Sequence, residues 1–310
     1  MIQGHLAASA LTNEIVSGLL QDQPSISPKY FYDEIGSHLF EAITCLKEYY
    51  PTRVEKQIMQ QYRGAIASAI GACDVLLELG AGNCEKGSAL FPTLNPAAYR
   101  ALDISKDFLE RAVSRLQKDF PAICMQAQSC DLQQELVFPD LSARKKVFFY
   151  PGSSIGNFDP DEALELFQKI VKACSGDGGL LIGVDLLKDR DVLYRAYNDS
   201  LGVTAAFNKN VLLHLNRLVG TDFDPAYWSH DALFNETKQR IEMYLCATTK
   251  QRVSWPSGER EFARNERIHT ENSYKYDRQA FESLLLRAGF GHVRSWTDAQ
   301  HYFLVSYAAA

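Results

Sequence analysis

Two glycine-bearing turns and a handful of carboxylates are the residues of this chain whose types and spacing can do chemistry. The apolar run Val75–Leu79 stops at Gly80-Ala81-Gly82. A glycine turn at a strand end lets the backbone approach a ligand closely, as in the crevice of a doubly wound sheet. Asp103 ends the next such run, residues 99–103, where a carboxylate can accept hydrogen bonds from ribose hydroxyls. Dinucleotide and S-adenosylmethionine sites both use that device, and GxG alone equally fits a tight structural turn. Two details weigh against a dinucleotide: Glu85 stands where GxGxxG has its third glycine, and Glu78 sets an anion just before the turn, suited to a cationic ligand. Lys86, one turn on, is either a solvated charge or a partner for a ligand carboxylate. Further along, residues 147–150 run into Pro151-Gly152-Ser153-Ser154-Ile155-Gly156-Asn157. Gly152 permits close backbone approach, and Asn157 offers a donor and an acceptor suited to an amino acid head group. The alternative for Asn157 is that it caps the helix that follows.

These residues need strand ends to hold them, and the pattern supplies strands. Strands are expected at 75–79, 99–103, 122–126 running on toward Asp131, 146–150 and 179–185, alternating with helices at 86–90, 106–118 and 160–174. That βαβ rhythm implies a parallel sheet with helices on both faces. It breaks after Lys188 into a long mixed insert. It returns with a helix at 278–288 and strands at 292–296 and 302–306, whose short connection makes them an antiparallel pair on an otherwise parallel sheet. Upstream, residues 29–33 and 39–43 read as short helical segments, and Pro51 belongs at or near the start of the next helix, where its fixed φ and missing N–H cost nothing. The expected fold is therefore α/β: a Rossmann-like sheet over residues 52–187 and 276–310, ending in an antiparallel strand pair, with a discontinuous α+β domain over 1–51 and 188–275.

Composition narrows the function classes. With 46% hydrophobic and 23% charged residues the 310-residue chain reads as a soluble globular protein. A net charge of -6 without a long basic run argues against a nucleic acid partner. Neither a signal peptide nor a bilayer-length apolar stretch stands out, so no membrane association and a cytoplasmic location are expected. The seven cysteines are scattered without a CxxC pair, which fits reduced thiols rather than a disulfide framework or zinc site. The seven histidines, His214 and His230 among them, show no metal-ligand spacing, and no metal is expected.

The acidic residue before GxG, together with the terminal antiparallel strands after Gly289-Phe290, resembles the class I S-adenosylmethionine-dependent methyltransferases. A closer resemblance covers the chain from about residue 28 onward. Its motifs are Phe31-Tyr32-Asp33, Glu48-Tyr49-Tyr50-Pro51-Thr52-Arg53, Glu78-Leu79-Gly80-Ala81-Gly82 with Glu85-Lys86, the loop from Gly152 to Asn157, Arg195-Ala196-Tyr197-Asn198-Asp199, Gly202-Val203-Thr204-Ala205-Ala206-Phe207-Asn208 and Arg240-Ile241-Glu242-Met243. In that order they resemble the histidine-specific Nα-methyltransferases of ergothioneine biosynthesis.

The resemblance implies three methyl transfers from S-adenosylmethionine to the α-amine of L-histidine and its mono- and dimethylated forms, giving hercynine. It implies that Tyr49, Glu271 and Ser273 hold the imidazole, Asn157 and Tyr197 the carboxylate, and that Tyr32 and the Gly152 carbonyl lie near the amine, with Met243 against the ring. On the cofactor side it implies Glu78, Gly80, Gly82, Lys86, Asp103 and Asp131, the last at the adenine amine. The alternative acceptor is another aromatic amino acid, such as a tryptophan derivative, against which Glu271 and Ser273 argue. Asn272, between those two, is expected to face outward by strand alternation. A monomer is expected.

Overall fold

Strands in which every residue is buried, rather than alternate ones, mark the centre of a sheet covered on both sides. In the computed structural model, which describes residues 2–132, 134–141 and 144–310, Val75–Leu79 (β1), Lys146–Tyr150 (β4) and Gly178–Asp185 (β5) have that pattern. Between β1 and β4 lie β2 (Ala98–Asp103) and β3 (Cys124–Ser129). After β5 come β6 (Trp228–Asn235), β7 (Arg240–Ala247), β8 (Gln251–Trp255), β9 (Gly258–Phe262) and β10 (Arg267–Tyr274), and β11 (His292–Thr297) and β12 (Phe303–Ala309) end the chain. The chain divides into two compact units, one of Met1–Tyr49 with Asp189–Ser273, the other of Tyr50–Lys188 with Tyr274–Ala310.

The second unit holds a seven-stranded sheet ordered β11-β12-β5-β4-β1-β2-β3. Strands β1 to β5 are parallel, while β12 runs antiparallel to both β5 and β11. This is the expected Rossmann-like sheet with its antiparallel terminal pair. Helices on both sides of the sheet build a core on each face. Leu77, Leu79, Phe148, Tyr150 and Ile182 pack with Phe167 of helix Pro160–Cys174 and Phe281 of helix Arg278–Arg287. Leu76, Val147, Phe149, Leu181 and Val305 pack with Ile58 of helix Tyr50–Gln61 and Ile66 of helix Arg63–Ile70. Each fully buried phenylalanine contributes about 1.5–3 kcal/mol relative to an exposed one, so this double core fixes where the strand ends sit.

The helix expected at 86–90 is Glu85–Ser88, and a second short helix that was not expected, Phe91–Leu94, follows it. Pro92 explains the break, since its ring obstructs the carbonyl one turn back and it has no N–H to give. The last strand begins one residue later than expected and continues to Ala309.

In the first unit, helix Glu34–Thr44 starts at Asp33, whose Oδ1 accepts the Gly36 N–H at 2.7 Å and an Asn210 amide N–H at 2.7 Å. Helix Val203–Val219 is capped by Asp199, which accepts the N–H groups of Val203 and Thr204 at 2.9 and 2.7 Å. It packs on β6, β7 and helix Glu34–Thr44. The three-stranded sheet of this unit is ordered β10-β7-β6, and β8 pairs with β9. Among the described residues, no helix is long and apolar enough to cross a membrane.

Candidate active site

The C-terminal ends of β1 and β2 meet in a turn made of left-handed backbone. Gly80, Gly82 and Cys84 have φ of 66°, 50° and 64°. Such φ values suit glycine and strain the cysteine. Gly82 donates its N–H to Asp103 Oδ2 at 3.0 Å, and Ser105 donates to Oδ1 at 3.0 Å, so the carboxylate at the end of β2 is aimed by the glycine turn itself. A Cβ built on Gly82 meets nothing within 4 Å, and Gly80 is exposed with Tyr150 3.9 Å from its Cβ position. The turn thus leaves open space against bare backbone, which fits a nucleoside-bearing cofactor lying across it. Asp131, half-buried, follows β3 at the same end of the sheet.

Glu78 and Lys86 point to partners within this unit. The Glu78 carboxylate is 1% exposed and accepts the Tyr99 hydroxyl. It lies so close to Gly87 that a Cβ there would be 2.1 Å from Oε2. Burial pushes its pKa up to about 8, against the lowering effects of the Tyr99 hydroxyl and Lys86. Lys86 Nζ pairs with Glu55 Oε2 at 2.7 Å, and the other oxygen of Glu55 accepts the Gly152 N–H at 2.8 Å. The sequence reading missed Glu55. Its only signal was an acid at a buried position of helix Tyr50–Gln61.

The loop after β4 carries a second left-handed pair, Gly152 at φ 81° and Ser153 at φ 65°. Asn157 ends a short 3₁₀ turn, Ser154–Asn157, and does not cap the next helix. Asp159 does so, in a capping box with Glu162. Behind the loop, Ser153 Oγ accepts the Asp185 N–H at 2.9 Å. The buried Asp185 carboxylate accepts from Tyr50 at 2.7 Å, Lys188 at 2.5 Å and Lys275 at 2.9 Å. Burial alone would raise the Asp185 pKa, but the two ammonium groups outweigh it and hold the carboxyl below its usual range. Lys188 also sits 4.6 Å from the centre of the Tyr50 ring.

In the first unit, aromatic rings and one polar strand gather the remaining residues. Tyr32 and Tyr49 both pack edge-on against Phe40, at centroid distances of 5.9 and 6.3 Å, and Tyr32 also meets Phe207 at 5.8 Å. On β10, Glu271 and Ser273 are both buried, and Tyr197 donates its hydroxyl to Ser273 Oγ at 2.7 Å. Asn272 is half-buried and its Oδ1 lies 2.8 Å from His269 Nε2, so it is occupied by its own strand. Met243, on β7 next to β10, is 1% exposed, and its carbonyl accepts the Thr270 hydroxyl at 3.1 Å.

His230, for which the sequence offered no role, holds Tyr197, and Asn208 holds His230 in turn. His230 Nε2 donates to the Tyr197 carbonyl at 2.8 Å, while Nδ1 accepts from the Asn208 amide at 2.9 Å. Burial lowers the His230 pKa, in keeping with a neutral ring of this tautomer.

Comparison with known proteins bears on both halves. Residues 11–310 match a family model described as histidine-specific methyltransferase, SAM-dependent. The histidine N-alpha-methyltransferase of Mycolicibacterium smegmatis is 38% identical over 309 residues, covering 97% of this chain and 95% of that protein. Ergothioneine biosynthesis protein 1 of Neurospora crassa is 32% identical over 88% of this chain and 32% of its own length. The L-tryptophan methyltransferase of Psilocybe serbica is 27% identical over 95% of this chain and 92% of that protein.

Proposed function

We propose that the chain, which belongs to the family of histidine-specific, S-adenosylmethionine-dependent methyltransferases, methylates the α-amine of L-histidine three times and yields hercynine for ergothioneine biosynthesis. The observation that carries this reading is the pair Glu271 and Ser273, both buried on β10. A neutral imidazole has one ring donor and one ring acceptor, and a carboxylate with a hydroxyl satisfies both. Indole has an N–H but no ring acceptor, so a tryptophan derivative would forgo one of the two contacts, a loss that favours histidine.

In the proposed assignment Tyr49 joins Glu271 and Ser273 at the imidazole, with Met243 against the ring. Asn157 and Tyr197 take the carboxylate, and Tyr32 and the Gly152 carbonyl take the amine. Gly80, Gly82, Asp103 and Asp131 hold the nucleoside of the cofactor and Lys86 its carboxylate; Glu78, expected on the cofactor side, is buried against Tyr99 and Gly87 and supports this end of the sheet from within instead. Bound S-adenosylmethionine supplies a sulfonium methyl whose C–S bond breaks as the N–C bond forms, leaving S-adenosylhomocysteine. The amine must be neutral and in line, which makes orientation the main contribution of the protein. The first two transfers each release a proton from nitrogen. The third forms a quaternary ammonium and releases none. We further propose a cytoplasmic monomer, a location supported by scattered thiols that suit a reducing compartment.

The test is mass spectrometry of the purified protein incubated with S-adenosylmethionine and an equimolar mixture of the twenty amino acids. Histidine alone should gain one, two and three methyl groups. Preferential methylation of tryptophan would overturn the imidazole assignment.

A further inference from the structure

The loop after β4 adopts two consecutive left-handed residues, of which only Gly152 does so without steric penalty. Ser153 keeps that conformation with 7% exposure, and its hydroxyl has a defined partner, the Asp185 N–H at 2.9 Å. On the other side, the Gly152 N–H is bonded at 2.8 Å to Glu55, itself 4% exposed. Both anchors are rigid. Glu55 is tied through its second oxygen to Lys86, and a Cβ on Gly183 would lie 2.2 Å from Glu55 Oε1, so the bare backbone of β5 makes room for this carboxylate. The Asp185 N–H lies at the end of β5, where Asp185 is paired with Phe303 of β12, and its carboxylate is further tied to Tyr50, Lys188 and Lys275. The peptide between Gly152 and Ser153, which bears the Gly152 carbonyl, is therefore flanked by two anchors, the Glu55 carboxylate on the Gly152 N–H and the Asp185 backbone N–H on the Ser153 hydroxyl, neither of which belongs to the cofactor set or the acceptor set.

We propose that Glu55 and Ser153 are positioning residues for methyl transfer, which together hold the Gly152–Ser153 peptide so that the Gly152 carbonyl can accept an N–H of the acceptor amine. This rests on the reading that the Gly152 carbonyl meets the amine of histidine. It has a consequence that a purely architectural role lacks. A neutral primary amine has two N–H groups, its monomethyl form one and its dimethyl form none. A carbonyl that orients the nitrogen through N–H therefore assists the first two transfers and not the third. A defect that only reduced the folded fraction would slow all three alike.

The experiment compares full-length wild type, Ser153→Ala, Glu55→Ala and Glu55→Gln with saturating S-adenosylmethionine, using histidine or Nα,Nα-dimethylhistidine as acceptor. Ser153→Ala should lower kcat on histidine by about 10-fold, the equivalent of one lost hydrogen bond, while kcat on dimethylhistidine stays within about 2-fold. Glu55→Ala should act in the same sense and more strongly, and Glu55→Gln, whose amide oxygen can still accept the Gly152 N–H, should recover part of the loss. Amide hydrogen exchange of residues 152–157 in the ligand-free proteins should be faster in both alanine variants. Ser153→Ala is the milder change and stands in should Glu55→Ala not fold. Equal losses on the two acceptors, or unchanged rates and exchange, would overturn the clamp while leaving the histidine reading intact. A wild-type protein inactive on both acceptors would overturn the histidine reading itself, and a clamp still visible in exchange would then be architectural only.

Discussion

The end of the seven-stranded sheet and the β10 strand of the other unit, the two regions proposed to recognise cofactor and acceptor, are built in different ways. At the sheet end the backbone does most of the work: left-handed Gly80 and Gly82 leave open space, and the Gly82 N–H aims Asp103. On β10 the groups proposed for recognition are side chains, Glu271 and Ser273, with Tyr197 docked onto Ser273 and held in turn by His230, which Asn208 orients. A site made of backbone conformation constrains residue type at a few positions and suits a ligand that does not vary. A site made of side chains can be retuned by single substitutions without disturbing the sheet that carries the cofactor.

That contrast can be broken or sharpened by substitution. The largest effect is expected for Asp103→Ala, which removes a carboxylate that also caps the Gly82 N–H. Cofactor affinity measured by calorimetry should fall about 100-fold, with histidine affinity little changed. A loss on both ligands would mean that the two sites are not separable. Next, Tyr197→Phe deletes the hydroxyl bonded to Ser273 and should raise KM for histidine about 5- to 10-fold at unchanged cofactor affinity. A fall in cofactor affinity instead would place Tyr197 on the wrong side of the comparison.

The smallest effect concerns Glu78. Its carboxyl pKa is raised from 4.5 to about 8 by burial, so the folded state holds the proton more tightly than the unfolded chain. The contribution to stability is full below about pH 4.5 and is lost as pH rises through about 8. Glu78→Gln should flatten the decline of Tm across that window. An unaltered pH profile would show that the carboxyl is not titrating in the interior.

How much of this was legible in the sequence follows the same divide. Val75–Leu79, Lys146–Tyr150 and the helix Pro160–Cys174 were readable to the residue, because continuous apolar runs and a Pro after a capping Asp are local signals. The glycine turn and Asp103 were readable as a nucleotide crevice for the same reason. The residues proposed for the acceptor were not, since Tyr49, Tyr197 and Glu271 lie far apart in the chain and none has a local pattern. Only the resemblance singled them out. Glu55 and Asp185 escaped even that, because a buried acid reveals its role through partners such as Lys86, Lys188 and Lys275, which sequence spacing does not disclose. The short helix Phe91–Leu94, with Pro92 in its first turn, shows the reverse case, a local signal in the sequence that the expected helix at 86–90 left unused.

The most direct test of the division is a pair of calorimetric titrations on Glu271→Ala, one with S-adenosylhomocysteine and one with histidine in its presence. Histidine affinity should fall by about 10- to 100-fold through loss of a charge-assisted hydrogen bond, with cofactor affinity unchanged. Undiminished histidine binding, or a parallel loss of both ligands, would contradict the account.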